Sequence, residues 1–177
     1  MTRDEVWDGV LVLLPFVDND HQSIKMILTF ALNECVTKGA YMGVNVSDRN
    51  EDWLSNFRCP DACVFLPENP AINHHSHYEG GPDFLAEVLS PNELPYEKLP
   101  FYASVGTREV LIIDRDPWSL ELHRLKRKKL VLVGRSDEQS REVLASRVVP
   151  LTFQLVNGEK RQEIEITHMP SGKTWNA

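Results

Sequence analysis

Two short uninterrupted apolar runs limit what this chain can fold into. Ala62-Cys63-Val64-Phe65-Leu66 lies between Pro60 and Pro67, and Phe84-Leu85-Ala86-Glu87-Val88-Leu89 is broken only by one carboxylate. A strand with one wet face alternates apolar and polar residues, whereas an unbroken run asks to be covered on both faces, as in a layered α/β protein. At 177 residues the chain is long enough to bury such a core without disulfides, and one domain over residues 1–177 is the simplest account.

Helical spacing appears where the layers need it. Ile24, Ile27, Leu28, Ala31 and Cys35 recur on one helical face, with Asp18 or Asp20 as cap and Gly39 as stop. A second helix carries Lys98, Leu99, Phe101, Tyr102 and Val105 and closes at Gly106, with Pro100 in its first turn or kinking it. Val110 to Ile113 follows as a strand, so strand, helix and strand predict a βαβ unit with a parallel pair inside a mixed sheet. Strands are further expected in a hairpin around Val6 to Leu14, at Met42 to Val46, and in a hairpin of Leu120 to Leu125 with Leu130 to Val133 across a basic turn. The tail from Val148 to His168 reads as one or two more, turning at Asn157-Gly158. Asn50 to Phe57 reads as a loop or short turn, and Glu68 to Gly81 as an exposed, mobile connection.

Charged residues make up 25% of the chain and hydrophobic ones 42%, a globular balance that excludes a disordered or membrane-embedded class. The apolar run Val10 to Phe16 is too brief to span a bilayer and lacks a cleavage pattern, so a cytoplasmic protein with no membrane partner is expected. Cys35, Cys59 and Cys63 then read as reduced packing residues. The net charge of -7 argues against tight non-specific binding to nucleic acid. The basic stretch Arg124 to Lys129 reads as a solvated hairpin tip.

Glu87 is the residue that carries chemistry, because a carboxylate in a buried strand is costly unless it is paired or binds a metal. Asp61 opens the preceding buried strand. Asp83 opens the strand of Glu87 and shares its face, so three carboxylates converge if the strands are neighbours. Magnesium selects oxygen ligands and takes only one or two carboxylates from a protein. A metal held by Asp61 and Glu87 activates a water toward phosphorus, and Lys98 on the following helix stabilises the charge that develops.

The strings Arg58-Cys59-Pro60-Asp61, Gly81-Pro82-Asp83-Phe84-Leu85-Ala86-Glu87-Val88-Leu89-Ser90-Pro91, Glu97-Lys98 with Tyr102-Ala103 and Gly106, and Glu109 leading to Ile113-Asp114 together resemble the bacterial restriction endonuclease family of Uma-two type. That family is placed in the PD-(D/E)XK nuclease superfamily, and the resemblance spans roughly residues 5 to 125. It implies a restriction-endonuclease-like α/β core, a mixed β-sheet flanked by helices, with N-terminal and C-terminal β-hairpin additions. It also implies a magnesium-dependent endonuclease acting on DNA, with manganese as a possible substitute. Asp61 and Glu87 would be metal ligands and Lys98 the catalytic lysine. The general Glu-x-Lys pattern would put that lysine at Leu89, so here the helix supplies it. Glu5, followed by Asp8-Gly9, is similar to an early Glu and Asp-Gly pair of the family and is a candidate additional acid. Dimers are common in such nucleases, and a homodimer is a further expectation.

Other readings stand beside this one. Asp61 also suits a turn or cap, Asp83 a turn, and Glu87 a structural pair with Lys98 or Arg58. Cys59, Cys63, His74 and His77 make a zinc site conceivable, against a solvated loop around His74-His75-Ser76-His77. Tyr102 and Trp53 read as packing residues. A nuclease fold that has lost catalysis and serves in binding or assembly is the alternative function.

Overall fold

The computed structural model describes residues 4–36, 39–90 and 95–177. Pro91, the last residue of the string that begins at Gly81, lies outside them. Among the described residues there are two α-helices, Asn19–Cys35 and Pro95–Ser104, and three β-sheets.

The central sheet has six strands in the order Lys129–Asp137, Trp118–Lys126, Glu109–Arg115, Phe84–Val88, Ala62–Val64, Ala40–Tyr41. Phe84–Val88 runs parallel to Glu109–Arg115 and antiparallel to Ala62–Val64, and all five of its residues are buried. Side chains alternate across a strand, so each face takes every second residue. Phe84, Ala86 and Val88 join Ala62, Val64, Leu111 and Ile113 against Ile24, Leu28, Ala31 and Leu32 of the first helix. Leu85 joins Cys63, Val110 and Ile112 against Phe101 and Tyr102 of the second helix. Each such side chain, fully buried, contributes roughly 1.5–3 kcal/mol. Both faces are therefore spoken for, as the unbroken apolar runs require. Glu87, in step with Leu85, points to the face of the second helix.

A four-stranded antiparallel sheet, Leu144–Ala145, Leu151–Asn157, Gln162–His168 and Thr174–Asn176, completes the core on the first helix's side. Its Phe153 ring stacks on Phe84 with centroids 5.7 Å apart. The expected C-terminal strands are present, and so is the hairpin across the basic turn. That turn holds Arg127 and Lys128 at φ 46° and 66°, the twist that two-residue hairpin loops require.

The remaining sheet differs from expectation. Val10–Val12, Glu5–Trp7, Phe57–Arg58, Val46–Ser47, Tyr78–Glu79 and Ile72–Asn73 pair in that order, in strands of two or three residues. The N-terminal hairpin is thus one edge of a sheet assembled from distant pieces. The expected strand Met42 to Val46 is not formed: of those residues only Val46 is in a strand, Val46–Ser47 of this sheet, while Ala40–Tyr41 just before them closes the central sheet. The Glu68 to Gly81 segment, much of it exposed as expected, is not without regular structure. Two strands lie in it, and His77 and Tyr78 are buried because Trp53 stacks on His77 at 4.6 Å and Phe65 on Tyr78 at 4.0 Å.

Both helix starts follow local chemistry. Asp18 caps the first, accepting from the His21 N–H at 2.8 Å, and the Arg115 guanidinium beside it holds its carboxyl below the usual range. Pro95 opens the second, where its missing N–H costs nothing. Pro100 sits inside it, leaving the Tyr96 carbonyl without its usual donor.

After the first helix, Gly39 adopts φ +105°, and a Cβ there would sit 2.1 Å from the Phe65 carbonyl oxygen. Gly39→Ala is expected to lower unfolding stability in urea by roughly 1–3 kcal/mol. An unchanged midpoint and slope would show that the backbone yields at this approach.

Candidate active site

Glu87 is 3% exposed and its carboxylate is held by the second helix. Tyr102 donates its hydroxyl to Oε1 at 2.5 Å, and Lys98 Nζ lies 3.5 Å from Oε2. Residues 98 and 102 are one turn apart, so a single helix face delivers both. Lys98 also lies 3.3 Å from Glu5 Oε1, and lysine and Glu5 are 1% and 0% exposed. Glu5 is fixed in turn by the Cys59 N–H at 2.9 Å and the Trp7 indole N–H at 2.8 Å. Burial, then the charges of Glu87 and Glu5, push the Tyr102 phenol well above its ordinary pKa, which keeps it a donor.

Arg58 braces this cluster from below. Its guanidinium carbon sits 4.6 Å from the Trp7 ring centre and 4.3 Å from that of Phe101. Nη1 donates to the Val6 and Phe57 carbonyls and to Asn56 Oδ1. Burial lowers its pKa, and Glu5 is the largest influence in the other direction. Arg58 does not pair with Glu87, so of the two structural partners weighed for that carboxylate only Lys98 is in place.

Asp61 reaches the same place from the other side of the sheet. Ala62 pairs with Ala86, and one further step of that antiparallel register sets Asp61 opposite Glu87. Its Oδ2 accepts from the Val88 N–H at 2.9 Å and from His21 Nε2 at 3.2 Å, and Lys25 Nζ lies 3.8 Å from Oδ1. His21 and Lys25 stand one turn apart at the start of the first helix, 2% and 7% exposed. The buried Nδ1 of His21 makes no hydrogen bond among the described residues.

A cavity of about 470 Å³ opens onto both groups. Asp61, Glu87, Lys98, His21, Cys59 and Ser90, with Asp4 and Gln22, form its polar part, and the stretch from Leu13 to Val17 forms an apolar wall. Four residues singled out in the sequence, Glu5, Asp61, Glu87 and Lys98, therefore lie together. Asp83 does not join them. It sits at the far end of Phe84–Val88, where its Oδ2 accepts from the Leu66 N–H and the Asn69 amide, both at 2.8 Å, and Arg108 pairs with Oδ1. Sharing a face with Glu87 was not enough, because four residues of strand separate them by about 13 Å.

His21, Lys25 and the hydroxyl of Tyr102 were not singled out as site groups. The signal for the first two was present: two ionisable residues occupy the same helical stripe as Ile24 and Leu28. The conceivable zinc set does not assemble. Among the described residues no three His, Cys, Asp or Glu side chains group as a metal site. Cys63 is fully buried with its thiol pushed up by that burial, while His74 and His77 stack on each other in the turn between Ile72–Asn73 and Tyr78–Glu79.

Residues 2–157 match the Uma2 family, described as "Putative restriction endonuclease". The chain belongs to this family. The fold of this Uma2 member is similar to that of a crystal structure described as "a putative nuclease belonging to DUF820" from Anabaena variabilis ATCC 29413. The TM-score is 0.62 at 18% identity, over 81% of this chain and 80% of that one. At that identity the likeness speaks for the fold. No curated protein matches the chain.

Within this Uma2 chain the Tyr102 hydroxyl is the shortest contact to Glu87 that is described, so Tyr102→Phe is expected to cost about 1.5–3 kcal/mol of unfolding free energy. In the unchanged protein, spectroscopic titration should leave Tyr102 un-ionised as the pH passes the ordinary value of 10.0. A phenolate appearing there in the folded state would contradict the buried contact.

Proposed function

We propose that this chain is a metal-dependent endonuclease that hydrolyses phosphodiester bonds of DNA. The observation that carries the reading is that Asp61, Glu87 and Lys98 border one cavity. Family membership supplies the nuclease class, and the donor chemistry supports the metal. Two carboxylates from adjacent strands are an oxygen donor set of the size magnesium takes from proteins, with water filling the rest, and manganese accepts the same set. Asp61 and Glu87 would hold the ion, which supplies charge to polarise the phosphoryl oxygen and acidify a water.

The remaining work falls to the chain's own residues. In hydrolysis a water oxygen bonds to phosphorus, one P–O ester bond breaks, and negative charge grows on the phosphoryl oxygens. The Lys98 ammonium, set between Glu5 and Glu87, stands ready to stabilise that charge. Glu5 fixes the lysine without occupying the cavity wall. Tyr102 fixes the rotamer of Glu87, while the Val88 N–H and His21 fix that of Asp61. Such partners orient metal ligands, and losing one typically costs 10–100-fold in metal affinity or activity.

Glu87→Gln and Asp61→Asn keep the shape of each side chain and remove its charge. Each is expected to lower magnesium- or manganese-dependent nicking of supercoiled plasmid DNA by roughly 100-fold or more, with circular dichroism spectra unchanged. Nicking by both purified variants at the rate of the parent protein would overturn the reading.

A further inference from the structure

Depth is the feature of this site that the nuclease reading alone does not use. Asp61, Glu87 and Lys98 are 5%, 3% and 1% exposed, at the bottom of the cavity rather than on an open face. The cavity of about 470 Å³ is in the size range of a small-ligand site and fits a single nucleotide better than a base-paired duplex. Enzymes that work on a base inside such a pocket take single strands or extrude the nucleotide first, and a phosphate carried into this one meets the same constraint.

The rim points to the same substrate. Residues 13–17 form an irregular strap along the cavity, in which Phe16 is 96% and Leu13 71% exposed. An aromatic ring held out at the mouth of a polar pocket offers a face on which a base can stack, a contact open to any unpaired base. Charge adds to the argument by default. The net charge is -7, and the buried cations Lys98 and Lys25 already face Glu5, Glu87 and Asp61. The densest basic stretch, Lys126 to Lys129, lies beyond the Glu109–Arg124 pair, at the other end of the sheet from Glu87 and its partner Ile112. Phosphate neutralisation, which serves duplex and single strand alike, is therefore scarce where the chemistry sits, and stacking on an unpaired base is the contact left to add affinity.

We infer that the strand is unpaired where it is cut: a single-stranded or frayed nucleotide enters the cavity, its base against Phe16 and Leu13 and its phosphate toward Asp61, Glu87 and Lys98. This rests on the nucleic-acid reading above and narrows it.

The test is binding without added metal, read by fluorescence anisotropy. The probes are a short labelled DNA single strand, the RNA of the same sequence and the corresponding DNA duplex. The proteins are the parent, Phe16→Ala and Phe16→Trp. A ring this exposed can be removed without disturbing the core. The single strand is expected to bind at least about tenfold tighter than the duplex. Phe16→Ala should lose about tenfold on the single strand alone, and Phe16→Trp should retain the affinity. Tight binding of either single strand supports the inference, and the DNA and RNA arms tell which sugar is accepted. Duplex binding as tight as single-strand binding, or a Phe16→Ala protein that binds like the parent, overturns it. The two readings fail separately. Phe16-dependent single-strand binding with no cleavage in magnesium or manganese removes the endonuclease and leaves the binding preference. Duplex cleavage as fast as single-strand cleavage does the reverse.

Discussion

Glu87 cannot be left alone in its strand. Its neighbours in sequence, Ala86 and Val88, and its partner Ile112 are apolar, Asp61 opposite it is a second carboxylate, and an ionised carboxylate with no partners there would cost more than the strand's burial returns. Tyr102 and Lys98 answer it from the second helix, and Lys98 in turn demands Glu5 from the N-terminal strand. One buried charge thus ties three stretches of chain, far apart in sequence, to the same point. Buried ion pairs of this kind add little net stability over a well-packed apolar replacement. Their persistence in a strand otherwise built of Phe, Leu, Ala and Val is better accounted for by chemistry than by folding.

The same logic explains what could be read in advance. Continuous apolar runs announce doubly covered strands. Glu87 stands out among them because it breaks the pattern, and the helix between two such runs forces a parallel pair. Long hairpins with a turn at Asn157-Gly158 or at Arg127-Lys128 carry their own local signals. The small-strand sheet has none. A strand of two residues, such as Val46–Ser47 or Tyr78–Glu79, is too short for alternation to register, and its place depends on packing such as the Trp53 and His77 stack. Asp83 illustrates the other limit: parity along a strand tells which face a side chain takes and says nothing of which end of the sheet becomes the site.

His21 and Lys25 were legible in principle and passed over in practice. On the apolar stripe of an amphipathic helix a histidine and a lysine four residues apart are anomalies of the kind Glu87 is in its strand. They are answered in the same way, by a carboxylate that also takes a backbone N–H. Asp61 and Glu87 are therefore held by opposite layers, the first helix for one and the second helix for the other.

That division explains why the site lies where it does. Within the sheet, alternate residues are committed to one face or the other, and a carboxylate on one side cannot meet a partner on the other. At the carboxyl end of Phe84–Val88 the constraint lapses. Asp61 precedes its strand, so its side chain is free of the alternation and can turn to the first helix while remaining beside Glu87. Open α/β sheets commonly place ligands at these strand ends, and here the geometry gives the local reason. The strap of residues 13–17 runs between the N-terminal hairpin, which carries Glu5, and the first helix, which carries His21. Its two ends are fixed to the two halves of the site. A substrate pressing on Phe16 would thus push on a segment anchored on both sides, which suits a wall that receives a base better than a lid that swings away.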